Sequence, residues 1–353
     1  MTGIRPAAYA LFVDAGSLNS PRWPEAPAGG FHEAWYVAAS DPREGHGLWL
    51  RYTVDLDAQG RNCAVWASWF DRDHPEQSMA LKNDLHAAAI SRTEVKLGDN
   101  QLSSEGCSGE VEADGHSLRW RLSFGQGVQA EEPIPRWLAP VARLRGSGYV
   151  LPHPATTLTG ALEIDGRMFE LQRVSAGQGH LWGRSRWPAW AWARCSAFAE
   201  DPTASLDLLD VEGPGGVRIP TFVFRFRGQV HRFGELPWMP LCTSRPGAPS
   251  WHFSAQDARL AIDGVVHAAP AYMVETRYGD SHYCVNTEIA SLEVRVRVRA
   301  FPGAPWRPET TLTSKCGASL EFCGRSPDPR VTRVPAVAPA VQKEARAAGS
   351  VAS

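Results

Sequence analysis

The stretch with the greatest chemical potential covers residues 177–198 and reads GQGHLWGRSRWPAWAWARCSAF. Its residues of chemical interest include four tryptophans, a histidine and arginines: His180, Trp182, Arg184, Trp187, Trp190, Trp192 and Arg194. A histidine exchanges protons near neutral pH, and the faces of indole rings stabilise a nearby positive charge. The stretch therefore predicts ligand binding, acid/base chemistry or both.

A parallel arrangement lies in the first half of the chain, where HEAWYVAASDP is followed by LWLRYTV. Alternate residues of a strand point to the same face, so Glu33 and Trp35 would lie side by side. The second segment adds Trp49, Arg51 and Tyr52. An ionisable group next to an indole thus occurs in both halves of the chain.

The chemistry that fits these residues needs no cofactor. A buried acid whose pKa is raised by desolvation can give a proton to a C=C bond or polarise a carbonyl. Our catalytic candidates are His180 and Glu33. The candidates for substrate binding are Trp35, Trp49, Arg51, Tyr52, Trp182, Arg184, Trp187, Trp190 and Trp192. If the catalytic pair is not brought together, Asp201, Asp207 and Asp210 are the next acids to consider. The structural alternative is that these aromatic residues only fill the core of a sheet.

The elements that would position these residues are strands, because apolar and polar residues alternate along much of the chain. Residues 48–54, 118–124, 222–227 and 294–299 all show this period. Asp-Gly pairs at 114–115, 165–166 and 263–264 are typical of hairpin turns. A sheet of this size would leave exposed edges unless it closes, so we expect barrels or packed sheets. The tract after Pro188 alternates bulky with small residues, and its bare face would leave room for a ligand.

The predicted organisation is two domains between disordered ends. Residues 1–30 and 326–353 are rich in Pro, Ala and Gly, which is typical of disorder. The joint between the domains is placed near residue 155, giving domains at 31–155 and 156–325. One short helix is expected over 76–89, where apolar residues have roughly helical spacing.

Composition excludes several classes of function. The net charge of -2 provides no basic field for nucleic acid, and 43% hydrophobic with 21% charged residues is ordinary for a globular protein. Seven scattered cysteines lack metal or redox spacing and are interpreted as reduced thiols. No signal peptide, membrane-spanning run, nucleotide fingerprint or metal motif is apparent, so we expect a cytoplasmic protein without metal or cofactor. The oligomeric state is left open.

Four segments resemble one superfamily, which includes tocopherol cyclases, carotenoid hydratases of the hydroxyneurosporene-synthase type and fungal lipocalin-like Diels–Alderases. GHLWGRSRWPAWAWARCSAF resembles its H-x-W-G signature with the tryptophan-rich continuation, and HEAWYVAASDP with LWLRYTV resembles its N-terminal motif. TGALEIDGRMFEL is similar to the hairpin that precedes H-x-W-G, and HYCVNTEIASLEVRV is similar to a C-terminal strand. The segments keep the expected order over about residues 31 to 300.

The resemblance implies an all-β protein of two tandem lipocalin-like (calycin) antiparallel barrels with few helices and a hydrophobic pocket. It marks His180 and Trp182 as pocket residues, with Glu33 and Trp35 in the N-terminal motif. Many relatives carry Asp or Asn immediately before the histidine, whereas this chain has Gly179. The acid expected at that point is therefore missing.

Two functions follow as hypotheses. The first is a cofactor-free enzyme that hydrates, cyclises or isomerises an isoprenoid or polyketide-like substrate. In that case His180→Ala and Glu33→Gln should abolish turnover and leave folding intact. The second is a non-catalytic intracellular carrier of a lipid, pigment or secondary metabolite, which the glycine before His180 favours modestly. An unmodified ligand found in purified protein would support the carrier.

Overall fold

A computed structural model describes residues 15–22, 30–57, 60–85, 88–90, 94–278 and 282–331. Two antiparallel sheets dominate this part of the chain. The first sheet contains β1 Phe31–Asp41, β2 His46–Asp57, β3 Gly60–Asp71, β4 Met79–Leu85, β5 Ala88–Ile90, β6 Glu94–Leu97, β7 Asn100–Ser103, β8 Gly106–Ala113, β9 His116–Phe124, β10 Gly148–Ile164 and β11 Arg167–Gly183.

The second sheet contains β12 Trp190–Cys195, β13 Ser205–Glu212, β14 Arg218–Phe226, β15 Gln229–Arg232, β16 Thr243–Gly247, β17 Ser250–Gln256, β18 Leu260–His267, β19 Val274–Tyr278, β20 His282–Val298 and β21 Arg307–Gly324. The described helices are short: α1 Ala15–Leu18, α2 Ala139–Leu144 and single 3-10 turns at Pro75–Gln77, Pro214–Gly216, Met239–Leu241 and Pro270–Tyr272.

Both sheets are built in the same way. In the first, the strand order is β4-β3-β2-β1-β11-β10-β9-β8-β7-β6-β5, and β4 lies against β8, so the sheet curls closed. In the second, the order is β15-β14-β13-β12-β21-β20-β18-β17-β16, with β19 also paired to β20. Each sheet thus joins two meanders by pairing its first strand with its last strand.

The alternation of side chains produces three apolar cores. Inward-facing residues of the first sheet, such as Leu50 and Val65, fill the first barrel, and those of the second sheet, such as Phe222 and Trp251, fill the second. The outward faces of the two sheets pack together around residues such as Trp49 and Trp192. The small residues Ala191, Ala193 and Cys195 do face into the second barrel, but phenylalanine side chains from the facing strands occupy the space beside them.

Two of the predicted hairpin turns are confirmed. Asp114-Gly115 and Asp165-Gly166 both have positive φ at each residue, as a two-residue hairpin requires. The third prediction is wrong, because Asp263-Gly264 lies inside β18. There the Asp263 carboxylate contacts Arg297 across the ladder at 3.0 Å, so the pair is part of a strand.

The prediction of a helix over residues 76–89 is also wrong. A 3-10 turn at Pro75–Gln77 is followed by β4, and Ala88–Ile90 forms β5. Tertiary packing overrides the helical propensity here: Leu81 enters the first barrel while its neighbour Ala80 packs between the sheets, which needs the period of a strand. Residues 86 and 87 lie outside the described residues.

The boundary between the sheets differs from the predicted joint near residue 155. That residue lies within β10, which together with β11 belongs to the first sheet. The first sheet ends at Gly183 and the second begins at Trp190. Residues 150–160 of β10 include Pro and Gly, and their pairing with β11 is irregular.

The predicted disorder and the predicted thiols also need correction. Residues 15–22 are packed against the first barrel, and Val331 near the other end is buried. Residues 1–14, 23–29 and 332–353 lie outside the described residues. Cys284 and Cys323, which face each other on β20 and β21, form a disulfide, so they are not reduced thiols.

Candidate functional site

The sequence-predicted pair Glu33 and His180 meets at one end of the first barrel, together with Trp35 and Trp182. We call these four residues the mouth site. The pairing of β1 with β11 brings them together, because Trp35 lies opposite His180 and Glu33 opposite Trp182. The side chains of Glu33 and His180 are completely buried.

The imidazole of His180 uses both of its nitrogens. Its Nε2 lies 2.7 Å from Glu33 Oε1, and its Nδ1 lies 2.5 Å from the carbonyl oxygen of Leu18. A carbonyl can only accept, so Nδ1 is the donor and a proton is shared between Nε2 and the carboxyl group. The ring stacks on Trp35 at a centroid distance of 4.6 Å, and the tilted ring of Trp182 lies 4.9 Å away. The imidazole therefore contacts two indoles.

Residues 15–22, which we call the N-terminal cap, seal the mouth site. The Trp35 indole donates to the Asn19 carbonyl oxygen at 3.0 Å, and the Arg22 backbone N–H donates to Glu33 Oε1 at 2.8 Å. The cap therefore meets the hydrogen-bonding needs of residues that would otherwise face the open end of the barrel. A ligand would reach the mouth site only after the cap had moved.

A second cluster lies between the two sheets. We call it the inter-sheet site, and it consists of Tyr36, Tyr149, Trp192, Arg194 and Asp207. The two tyrosine hydroxyls are 2.7 Å apart, and the Trp192 ring meets the Tyr36 ring edge-on at 5.1 Å. Arg194 lies directly across the β12–β13 ladder from Asp207. The cluster joins four strands, two from each sheet.

Asp207 is the least satisfied of the buried acids considered from the sequence. Desolvation raises its pKa to about 7, although the Arg194 guanidinium acts in the opposite direction. Its Oδ1 and the Trp192 Nε1 make no hydrogen bond of good geometry with any described residue, although the Trp192 indole and the Tyr149 hydroxyl lie close enough to Asp207 to lower its pKa in part. Burial, and after it the Asp207 charge, raises the pKa of the Tyr36 and Tyr149 hydroxyls. The site thus holds an acid whose pKa lies near neutral pH beside an indole donor that is only weakly engaged.

Two glycines on β11 make room for this cluster. A Cβ at Gly179 would lie 2.3 Å from Tyr36 Cζ, and one at Gly177 would lie 2.4 Å from Arg194 Nη2. Both distances are far inside van der Waals contact. Gly179, where an acid was expected, is therefore the place over which the Tyr36 ring packs, and the acid of this region comes from β13 instead.

The other predicted binding residues do not gather at one site. Tyr52 faces into the first barrel, where its hydroxyl donates to the Gln101 carbonyl at 3.1 Å. Trp49 and Arg51, on the opposite face of β2, are buried between the sheets. Arg184 is exposed, and Trp187 is half-buried and contacts His282 through its carbonyl.

Trp190 borders an open cleft of about 400 Å³ on the second sheet. The residues that line the cleft include Trp190, Arg218, Tyr283, Phe322, Cys323 and Arg330. The indole of Trp190 also donates to Glu321 Oε1 at 2.5 Å, and Glu321 is buried. Trp190 therefore links the cleft to the residues between the sheets.

Asp201 and Asp210 are placed less favourably than Asp207. Asp201 is partly exposed and accepts hydrogen bonds within its own turn from Thr203. Asp210 is fully buried, but the Arg218 Nε donates to it at 2.9 Å and Ser244 also contacts it. Of these three acids, only Asp207 combines deep burial with an oxygen that lacks a partner of good geometry.

The sequence analysis did not select Tyr36 or Tyr149. Tyr36 lies next to Trp35, but alternation turns it to the opposite face of β1. A signal was present for Asp207, which stands among leucines in SLDLLDVE and would be forced inside by a strand buried on both faces. Among the described residues there is no group of three or more metal-ligating side chains and no helix long and apolar enough to cross a membrane.

Comparison with known proteins supports the fold. No family model and no curated protein matches this sequence. Among solved structures, a protein of Nitrosomonas europaea assigned as AttH aligns with a TM-score of 0.52 at 12% identity, covering 83% of this chain and 92% of that one. Kievitone hydratase from Nectria haematococca also aligns with a TM-score of 0.52, at 11% identity, covering 91% of this chain and 95% of that one. The all-β fold of two tandem lipocalin-like barrels is therefore as predicted.

Proposed function

We propose that the protein binds an isoprenoid or polyketide-like molecule between its two sheets and transforms it by cofactor-free acid/base chemistry, with Asp207 as the proton donor. The observation that carries the proposal is the buried Asp207 carboxyl, whose pKa is raised to about 7 by desolvation and whose Oδ1 has no described partner. A general acid works best when its pKa lies near the working pH. Asp207 meets that condition.

The proposed reaction begins with transfer of the Asp207 proton to one carbon of a C=C bond. The other carbon becomes cationic, and the face of Trp192 can stabilise it by about 0.5–2 kcal/mol. Capture by water gives hydration, and capture by a second double bond gives cyclisation. Loss of a proton to the Asp207 carboxylate completes each reaction, or gives isomerisation when it occurs directly. The acid is thereby regenerated.

A ligand would have to part the side chains of the inter-sheet site. Tyr36, Tyr149, Trp192, Arg194 and Asp207 are all buried, with between 6 and 8% of their surface accessible. The name of the aligned kievitone hydratase makes hydration the first reaction to test.

The mouth site is the competing location for catalysis. Glu33 and His180 remain candidates from the sequence, with Trp35 and Trp182 as the binding surfaces. Their contacts within the barrel and to the cap favour a structural role, because a fully bonded pair beneath the cap needs no ligand to complete it. Catalysis there would require the cap to open first.

The test uses an extract of cells that produce the protein. Purified protein is incubated with the extract, and mass spectrometry follows compounds that gain one water or change retention time at constant mass. We expect Asp207→Asn to lower turnover by roughly 10²–10⁴-fold, the contribution of a general acid. The matched control, Asp201→Asn, changes a partly exposed carboxyl and should keep full turnover.

The same experiment separates the alternatives. Loss of turnover in Glu33→Gln but not in Asp207→Asn would move the chemistry to the mouth site. A compound that co-purifies unchanged and is never converted would support the carrier of a lipid, pigment or secondary metabolite.

A further inference from the structure

Arg51 is a buried cation whose guanidinium lies over aromatic rings. Its guanidinium lies 4.2 Å from the ring centroid of Tyr278 and 5.9 Å from that of Trp49. It forms no ion pair with any described carboxylate, and its Nε is buried without a hydrogen-bond partner. A buried charge is costly unless it is paired, so this group is incomplete.

The nearby acid Glu321 offsets only part of this charge. Burial raises the pKa of Glu321, and the Arg51 charge acts in the opposite direction. Glu321 accepts from the Trp190 indole at 2.5 Å and from the Tyr278 hydroxyl at 3.3 Å. The Arg51 Nε–H is therefore left for another partner.

Asn286, which lies beside Glu321, also lacks hydrogen-bond partners. It lies directly across the β20–β21 ladder from Glu321, and neither atom of its side-chain amide has a described partner. It is almost completely buried. A buried amide without partners loses its hydrogen bonds to water without replacement, which is unusual in a folded protein.

These two residues lie next to the inter-sheet site. Arg51 is the direct cross-strand neighbour of Tyr36, and Glu321 is the direct cross-strand neighbour of Trp192. Cross-strand neighbours have Cβ atoms about 4.5–5.5 Å apart. Asp207 lies on β13 and Asn286 on β20, with β12 and β21 between them, so a molecule that reaches both must span three strand spacings, about 14 Å. Trp190 connects this region with the open cleft.

We propose that the substrate carries an oxygen acceptor, a carbonyl or a carboxylate, which binds the Arg51 Nε–H and the Asn286 amide at the end of the molecule remote from the carbon that Asp207 protonates. We call Arg51 and Asn286 the oxygen subsite. This inference rests on the proposed function and narrows it, because a pure hydrocarbon would leave both residues unpaired. The substrate class is an oxygenated apolar chain.

The test compares three probes with the same chain: the hydrocarbon farnesene, the aldehyde farnesal and the carboxylate farnesoic acid. Binding is followed by the quenching of tryptophan fluorescence. We expect at least one oxygenated probe to bind roughly tenfold or more tightly than farnesene, the effect of one charge-assisted hydrogen bond. Preference for farnesoic acid alone would identify a carboxylate, and preference for both would identify a carbonyl.

Variants show which residues cause the preference for oxygenated probes over farnesene. Arg51→Met keeps the length of the side chain and should remove the preference, and Asn286→Leu should reduce it. Arg121→Met, on an exposed face of β9, is the control and should behave as wild type. Circular dichroism checks the fold, and the wild-type probe series remains decisive if Arg51→Met does not fold.

The outcomes distinguish the two proposals. Equal binding of all three probes to the wild type, or a preference that survives in both variants, would overturn the oxygen subsite and leave the proposed function standing. Binding of none of the probes would count against both proposals.

Discussion

The mouth site and the inter-sheet site lie on opposite faces of the same strand. Glu33 and Trp35 of β1 face into the first barrel, whereas Tyr36, the residue after Trp35, faces the second sheet. Both sites place an ionisable group beside indole rings. In the mouth site both nitrogens of His180 are bonded, whereas in the inter-sheet site Asp207 Oδ1 lacks a described partner.

This difference separates structure from function. Buried polar groups that serve only the fold are almost always hydrogen-bonded, because each unmet group costs about 1–3 kcal/mol. Under the proposed function, a ligand completes the unmet groups of the inter-sheet site. The tryptophan-rich sequence around His180 is therefore less informative about ligand binding than the incomplete bonds of Asp207.

Among the substitutions that test this comparison, His180→Ala is expected to change the stability of the protein most. This change removes the partner of the Glu33 carboxyl and leaves a gap between Trp35 and Trp182. Breaking a buried pair from one side costs about 3–5 kcal/mol, which urea unfolding would measure. His116→Ala removes an exposed histidine paired with Asp165 and should cost under about 1 kcal/mol. Equal costs for the two variants would refute a structural role for the mouth site.

Asp207→Asn should have an effect on stability that depends on pH. The folded pKa of Asp207 is raised from 3.8 to about 7, so its contribution to stability is fully present below pH 3.8 and is lost as the pH rises through about 7. Asparagine does not titrate. The stability of the variant relative to wild type should therefore rise by up to about 4 kcal/mol between pH 4 and pH 8, as estimated from the shift.

Urea unfolding at several pH values measures this difference. Asp201→Asn is the control, because the pKa of Asp201 is lowered by its hydrogen bond from Thr203 and the pH trend should have the opposite sign. A pH-independent difference for Asp207→Asn would show that Asp207 titrates normally in the folded protein.

A smaller effect is expected from Gly179→Ala. The new Cβ would collide with the Tyr36 ring, and overpacking of this kind typically costs about 1–3 kcal/mol. The cost should fall when Tyr36→Ala is added, since the two residues are coupled. Gly324→Ala places a Cβ where no atom lies within 4 Å and should be nearly neutral. Additive costs in the double variant would contradict the packing role of Gly179.

Much of the fold could be predicted from alternation alone. Alternation shows that Glu33 and Trp35 share a face, but it does not show whether that face lies inside a barrel or between barrels. That choice depends on the pairing of β1 with β11, between residues far apart in the chain. For the same reason Trp49 and Tyr52, predicted for one pocket, are separated by the sheet itself.

Local sequence patterns could not predict three other features of the structure. The cap over the mouth site comes from a segment whose composition indicates disorder, and its order derives from contacts such as Leu18 with His180. The strand β4 has helical spacing but closes a barrel. The disulfide between Cys284 and Cys323 depends on the register of β20 with β21, which cysteine spacing along the chain does not reveal.

The most direct test of the account is the titration of the Asp207 carboxyl by ¹³C NMR in protein labelled at aspartate, with Asp207→Asn used to assign the signal. The account predicts a midpoint near pH 7. A midpoint below pH 4, in the ordinary range of an aspartate, would show a carboxylate that is already ionised and would contradict its role as the proton donor.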